Sequence, residues 1–183
     1  MLKIALVGNI ASGKSTIEKI LNKRGFAVYD TDEIAHKILE NSTEIKEMFP
    51  DAVTDGAINR KLLADIVFND KFRLKTLEKF IHPKVKKKIE EIDDKIAFVS
   101  VPQLFEANME SLFDKIIFIS APKQIRLERL IKRNNLSAKD AELRLNAQAD
   151  EEDKIKKSDF VICNDGNLAE LEKKVFQILT NIC

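Results

Sequence analysis

The feature that most constrains this chain stands at its start, in MLKIALVGNIASGKSTIEKIL. An apolar run over 2–7 leads into a glycine-bounded loop, and a run with helical spacing leads out. Inside lies Gly8-x-x-x-x-Gly13-Lys14-Ser15. Glycines let a backbone turn tightly enough to aim several N–H groups at one point. A helix beginning beside Lys14 adds its positive N-terminal end. Gly8, Ala11, Ser12, Gly13, Lys14, Ser15 and Thr16 are therefore expected to cradle nucleotide phosphates. Lys14 reaches the β- and γ-phosphates, and the Ser15 hydroxyl is placed for Mg2+. The bare pattern occurs by chance; between a strand and a helix it is specific.

The base is adenine on this reading. A guanine reader of the form Asn-Lys-x-Asp is missing: Asn22-Lys23 falls inside the first helix, with Gly25 where the Asp belongs. A suitably spaced DxxG switch is missing too.

Further strands are expected over 26–30, 96–102, 114–120 and 159–163, rich in Ile, Val and Phe. Helices are expected over 14–24, over 31–40 with Thr31 as N-cap, from Pro122 to about Arg133, and from Leu168 to about Thr180. Residues 42–93 hold no convincing strand and read as mainly helical, with Pro83 as a break or the first residue of a new helix. The polar stretch over 134–158 is expected to be helical but mobile. Strands that alternate with helices and are apolar throughout imply an α/β fold with a parallel sheet covered on both faces.

The 183 residues suit one domain with a small insertion. The 31 basic and 30 acidic side chains nearly cancel, which argues against nucleic acid as a partner. No apolar run approaches the roughly 20 residues of a membrane span, and no cleavable leader is visible. Cys163 and Cys183 form no CxxC and imply no disulfide framework. A cytoplasmic location is the expectation.

Asp30 and Asp32 close the second strand. Ligands of open α/β sheets bind beyond the carboxyl ends of the strands, so both are expected to face the same crevice as the loop. Asp30 is assigned to the metal and Asp32 to the hydroxyl that attacks the phosphorus; the reverse order satisfies the same pattern. The plainer alternative makes Asp30 a strand-end turn residue and Asp32 a first-turn helix charge. Arg129 and Arg133 share a helix face, and Arg144 lies on the next helical stretch. Guanidinium groups there would meet charge spread over a phosphoryl group in transfer, or else line a solvated face. Asn164 ends the last strand, where its side-chain amide or the nearby backbone would read an adenine edge, or where it serves as a turn residue before Gly166. Leu104 and Phe105 would pack on an acceptor or fill core. Lys84, Lys86, Lys87 and Lys88 form a basic cluster that either attracts an acidic acceptor or is a solvated helix face balanced by Glu90 and Glu91.

Taken together the residues resemble the dephospho-CoA kinase family. The loop VGNIASGKST is similar to the family's TGGIGSGKST, and Asp30-Thr31-Asp32 with His36 resembles its DAD, apolar helix and His. Arg60, Leu63 and Val67-Phe68 resemble its R…L…VF; Leu77-Glu78 with Ile81-His82-Pro83 resembles its L-E-x-I-x-H-P. Val101-Pro102-Gln103-Leu104-Phe105-Glu106 resembles V-P-L-L-F-E. Arg129, Arg133, Arg144 and Gln148 resemble its R-x-x-x-R and R-x-x-x-Q, and Ser158-Asp159 through Asn164 and Gly166 resemble its closing A-D-x-V-I-x-N-x-G. The likeness runs in order from residue 1 to about residue 170.

The resemblance implies transfer of the ATP γ-phosphoryl to the ribose 3′-hydroxyl of dephospho-CoA, the last step of coenzyme A synthesis. It implies a P-loop NTPase-type three-layer fold: a five-stranded parallel sheet with helices on both faces, a helical substrate-binding subdomain and a helical lid. The core would take about 1–32, 94–121 and 158–183, the acceptor-binding insertion about 33–93 and the lid about 122–157. It makes His82 an acceptor-binding residue and Arg129 or Arg133 catalytic. The expected cofactors are ATP and Mg2+, the expected assembly a monomer or weak homo-oligomer. Three departures stand out: Asn9 and Ala11 replace loop glycines, Gln103 replaces a Leu, and Ser100 stands where the family often has an Asp at the end of the third strand. A kinase for a nucleoside, nucleoside monophosphate or other small hydroxyl acceptor would share the loop and the Asp pair but not His82-Pro83 or VPQLFE. A nucleotide-switched binding protein would share only the loop.

Overall fold

The apolar runs become strands of one sheet in a computed structural model that describes residues 1–148 and 151–182. Cys183 lies outside the described residues. In chain order, β1 (Leu2–Gly8) leads through the loop to α1 (Lys14–Lys23), and β2 (Ala27–Asp30) to α2 (Thr31–Glu40). Then come α3 (Thr43–Met48), a 3-10 turn (Pro50–Ala52), β3 (Val53–Thr54), β4 (Ala57–Ile58), α4 (Arg60–Asn69) and α5 (Lys71–Glu90). β5 (Ile96–Ser100), a second 3-10 turn (Glu110–Leu112), β6 (Lys115–Ser120), α6 (Lys123–Asn134), α7 (Ala138–Asn146), α8 (Glu151–Lys156), β7 (Phe160–Cys163) and α9 (Leu168–Ile182) complete it.

The sheet is five-stranded and parallel, in the order β2-β5-β1-β6-β7. Central β1 pairs with β5 on one side (Leu6 opposite Ser100) and β6 on the other (Leu6 opposite Ile117). Successive side chains of a strand point to opposite faces. Lys3 to Val7 are all buried, so both faces of β1 are covered. On one side Ile17, Ile20 and Leu21 of α1 and Leu171, Val175 and Leu179 of α9 pack with Ile4, Leu6, Phe98 and Ile162. Phe26 meets Phe98 edge-on, ring centroids 5.3 Å apart.

The chain divides into two units. One is Asp30–Ile92; the other takes the chain before it and the chain from Asp93 on. Two features of the Asp30–Ile92 unit depart from expectation. It contains a strand pair, β3 with β4, closed by Asp55 and Gly56 at φ 51° and 76°. Two central residues at positive φ make the tight turn that antiparallel strands favour, but strands two residues long show no alternation in sequence. Pro83 neither breaks a helix nor starts one: α5 runs through it for 20 residues. An internal proline forfeits a backbone hydrogen bond; the buried stripe Ile81, Val85 and Ile89 holds the helix on both sides of it.

In the other unit, acidic side chains fix the beginnings of inner strands. Asp114 accepts a hydrogen bond from the Lys3 backbone N–H at 2.7 Å. Asp159 accepts from the Ile116 N–H at 2.8 Å and from the Lys115 ammonium at 3.0 Å. Partial burial alone would raise the Asp159 carboxyl, but these donors outweigh it and hold it below its usual value. With the folded value depressed, the stabilisation is present above the unfolded value, near pH 4, and is lost as pH falls through the folded one. Asp159→Ala is expected to lower the melting temperature by about 2–4 °C at pH 7. The gap from wild type should narrow steadily below pH 4 in thermal melts; a gap independent of pH would remove the carboxylate from this role.

Candidate active site

The loop between β1 and α1 has the conformation its letters call for. Ser12 N–H donates to Asn9 O at 3.1 Å, and the N–H groups of Thr16 and Ile17 both turn back to Gly13 O. Gly13 N-caps α1 at φ 102°, and no side chain caps the helix. The N–H groups of Lys14 and Ser15, ahead of these turns, therefore keep their donor capacity for an anion. A Cβ at Gly8 would sit 2.6 Å from Ser12 Oγ and 2.7 Å from the Ile119 carbonyl oxygen; one at Gly13 would collide with the Asn164 amide. Ala11, one of the two departures from glycine, takes φ 61° in spite of its Cβ. That conformation costs a non-glycine residue about 1–2 kcal/mol, so the surroundings must impose it. Ile10 and Ala11 pack on the cluster of Leu130, Ala141 and Leu145 from α6 and α7.

Three groups converge on the loop from far along the chain. The Asn164 side-chain N–H donates to Ser12 O at 2.8 Å. Arg129 reaches the same carbonyl with Nη1 at 3.3 Å and, with Nη2, both oxygens of Asn164 at 3.2 and 3.4 Å. Both polar atoms of the Asn164 amide are engaged inside the protein, Nδ2 with Ser12 O and Oδ1 with Arg129. On the other flank Gln148 Oε1 accepts from the Ile10 N–H at 2.8 Å. Glu151 Oε1 accepts from Asn9 at 3.1 Å and pairs with the buried Arg126 at 3.0 Å.

Lys14 sits at the mouth of this cradle. Its ammonium donates to Glu18 Oε1 at 3.1 Å and to Ser100 Oγ at the end of β5. Ser15 is exposed in the first turn of α1, and Thr16 is partly exposed.

The remaining predicted residues fall as follows. Asp30, not Thr31, is the N-cap of α2, accepting from the Asp32 N–H at 2.8 Å; Thr31 is the first helical residue and is buried. Asp32 is exposed. His82 is partly exposed on α5. In the basic cluster, Lys84 pairs with Glu44 and lies over the Phe80 ring, and Lys88 pairs with Glu91. Leu104 is fully buried and fills core, so it has no surface to offer an acceptor; Phe105 is partly exposed. Arg133 and Arg144 are exposed, Arg133 donating to Asn134 at 2.9 Å. Sequence reasoning gave no part to Glu18, Gln148 or Glu151 as supports of the loop. Glu106, which ends VPQLFE, binds Lys154 of α8 at 2.7 Å. Burial, and next Asp165, raise the Cys163 thiol above its usual value, which keeps it a poor nucleophile.

A glycine-bounded loop with a terminal Lys-Ser, behind the central strand of a parallel sheet, defines the class of phosphate-loop proteins that use nucleoside triphosphates. Comparison with known proteins is narrower. The dephospho-CoA kinase family model matches residues 2–170, and the chain belongs to that family. A dephospho-CoA kinase of Fusobacterium nucleatum is 41% identical over 181 residues, 94% of each chain. Among solved structures, one from Thermus thermophilus superposes with a TM-score of 0.86 at 35% identity, covering 100% of this chain and 98% of that one. Dephospho-CoA kinase from Campylobacter jejuni superposes with a TM-score of 0.76 at 37% identity, covering 98% and 96%.

Gly13 has neither the space nor the φ for a side chain. Gly13→Ala is expected to weaken ATP binding about tenfold or more, through roughly 1–2 kcal/mol of backbone strain and displacement of Asn164. Isothermal titration checks this, and binding within twofold of wild type would show that the loop tolerates the collision.

Proposed function

We propose that this chain transfers the γ-phosphoryl group of ATP to the ribose 3′-hydroxyl of dephospho-CoA, giving coenzyme A and ADP. The observation that carries the reading is the phosphate loop with Lys14 at its mouth, in a chain that matches the family over residues 2–170. In the transfer the bond from the γ-phosphorus to the β–γ bridging oxygen breaks, a bond to the ribose oxygen forms, and the hydroxyl proton leaves.

Each part follows from residue chemistry. The loop N–H groups and the α1 N-terminus hold the phosphates. Lys14 follows the γ-phosphoryl group, whose charge spreads over its outer oxygens in the transition state. Asp32, an exposed carboxylate, orients the hydroxyl and takes its proton. Arg133 and Arg144, both exposed, are the cations of the lid, while Arg129 and Asn164 act by keeping Ser12 in place. His82 and Phe105 serve the acceptor.

Mg2+ is the cation this proposal requires. Among the described residues no group of three or more His, Cys, Asp or Glu side chains could hold a metal ion. Mg2+ is commonly bound by phosphates, waters and one or two protein oxygens, here the Ser15 hydroxyl and Asp30. When bound, the ion neutralises charge on the β- and γ-phosphate oxygens. No helix among the described residues is long and apolar enough to cross a membrane. We place the protein in the cytoplasm as a monomer or weak homo-oligomer without a nucleic-acid partner. The insertion at about 33–93 carries the acceptor site and the segment at about 122–157 is the lid.

ADP release from ATP and Mg2+ is expected to rise strongly with dephospho-CoA and to stay at background with AMP, adenosine or shikimate. Mass spectrometry should show a product heavier by one phosphate, and a rise with another acceptor would keep the chemistry but displace the substrate. Lys14→Ala is expected to cut kcat by about 10²–10³-fold with the fold intact. Asp32→Asn should lower kcat by about 10²–10⁴-fold and leave ATP affinity nearly unchanged; an effect on ATP binding alone would assign that carboxylate elsewhere.

A further inference from the structure

The lysine of the phosphate loop finds a carboxylate inside its own helix. Lys14 and Glu18 stand one turn apart on α1, at the spacing where side chains meet, with Nζ and Oε1 3.1 Å apart. Both side chains are 17% exposed, so solvent and salt screen the pair less than an ordinary surface pair. Ser100, which also accepts from the ammonium, is fully buried and neutral. The end of β5 therefore gives the ammonium a hydroxyl and no charge, and the charge comes from Glu18.

We propose that Glu18 is a positioning residue that holds the Lys14 ammonium over the loop and, through its own negative charge, makes nucleotide binding depend on a divalent cation. The proposal rests on reading the loop as the ATP site. Two oxygens that share one ammonium lie at most roughly 6 Å apart, twice a hydrogen-bond length. A phosphate taken up by Lys14 thus arrives beside the Glu18 carboxylate, and like charges at that range repel. A cation arriving with the triphosphate offsets the repulsion. Bare ATP is held less tightly than the loop alone would allow, and the lysine stays aimed before substrate enters.

The test is titration of the full chain with ATP in excess EDTA and again in excess Mg2+, for wild type, Glu18→Gln and Ser100→Ala, with melting curves to confirm folding. Glu18→Gln is expected to tighten metal-free ATP binding about fivefold and to change binding in Mg2+ by less than about twofold, narrowing the ratio between the two. It should also lower kcat more than it changes the KM for ATP, because the ammonium loses its support. Ser100→Ala removes a neutral partner and should leave the ratio at its wild-type value. An unchanged ratio in Glu18→Gln, or an equal narrowing in Ser100→Ala, overturns the proposal. If wild type binds no ATP even with Mg2+, the nucleotide reading of the loop fails, and this proposal with it.

Discussion

The carbonyl oxygen of Ser12 is the point from which the site is suspended. A phosphate-binding loop works only if its N–H groups point inward, and each peptide whose N–H points in must turn its carbonyl elsewhere. Ser12 O finds donors in Asn164, beyond the end of β7, and in Arg129 of α6. Arg129 also holds Asn164, so the three groups form a closed set. The absence of a side chain at Gly13 is what lets Asn164 approach. Preorganised donors of this kind stabilise transferring charge without having to reorganise as it develops.

The loop is fastened on its second flank by Gln148, just beyond α7, and by Glu151 of α8. Gln148 and Glu151 take up Ile10 and Asn9, and the buried Arg126 neutralises Glu151. Glu106 pairs with Lys154 of α8. The contacts of Gln148 and Glu151 tie the stretch around α7 and α8 to the loop backbone. Among the acidic side chains of this unit, Asp114 and Asp159 clamp strand starts, Glu151 meets the loop and Glu18 meets its lysine.

What the residues disclose in advance is uneven, for physical reasons. The strands of the sheet are legible because each is a continuous apolar run, and the helices beside them because their buried positions recur every three or four residues. The β3–β4 hairpin is not, although its Asp55-Gly56 turn is written in the chain, because two-residue strands carry no pattern. Pro83 misleads because the local penalty of a proline is smaller than the packing of a 20-residue helix with a buried stripe. Leu104 and Phe105 are adjacent and chemically alike, and only burial separates them: one is sealed in the core and the other is partly exposed. Glu18 escapes notice because an acid four residues after a lysine is an ordinary helix pair until the lysine belongs to a phosphate loop.

The sequence by itself determined the alternation of strands and helices, the parallel sheet, the phosphate loop and the lysine at its mouth. Those features rest on interactions among residues near one another in the chain, or on φ values that glycine alone takes freely. Only the tertiary structure decided what holds the loop in shape. Ser12 meets Asn164 across 152 positions, Ile10 meets Gln148 across 138, and Lys14 meets Ser100 across 86. No period or local propensity encodes such meetings. They exist because packing the sheet and its helices brings distant side chains to the carboxyl edge of β1, where the orphaned backbone groups of the loop must find partners.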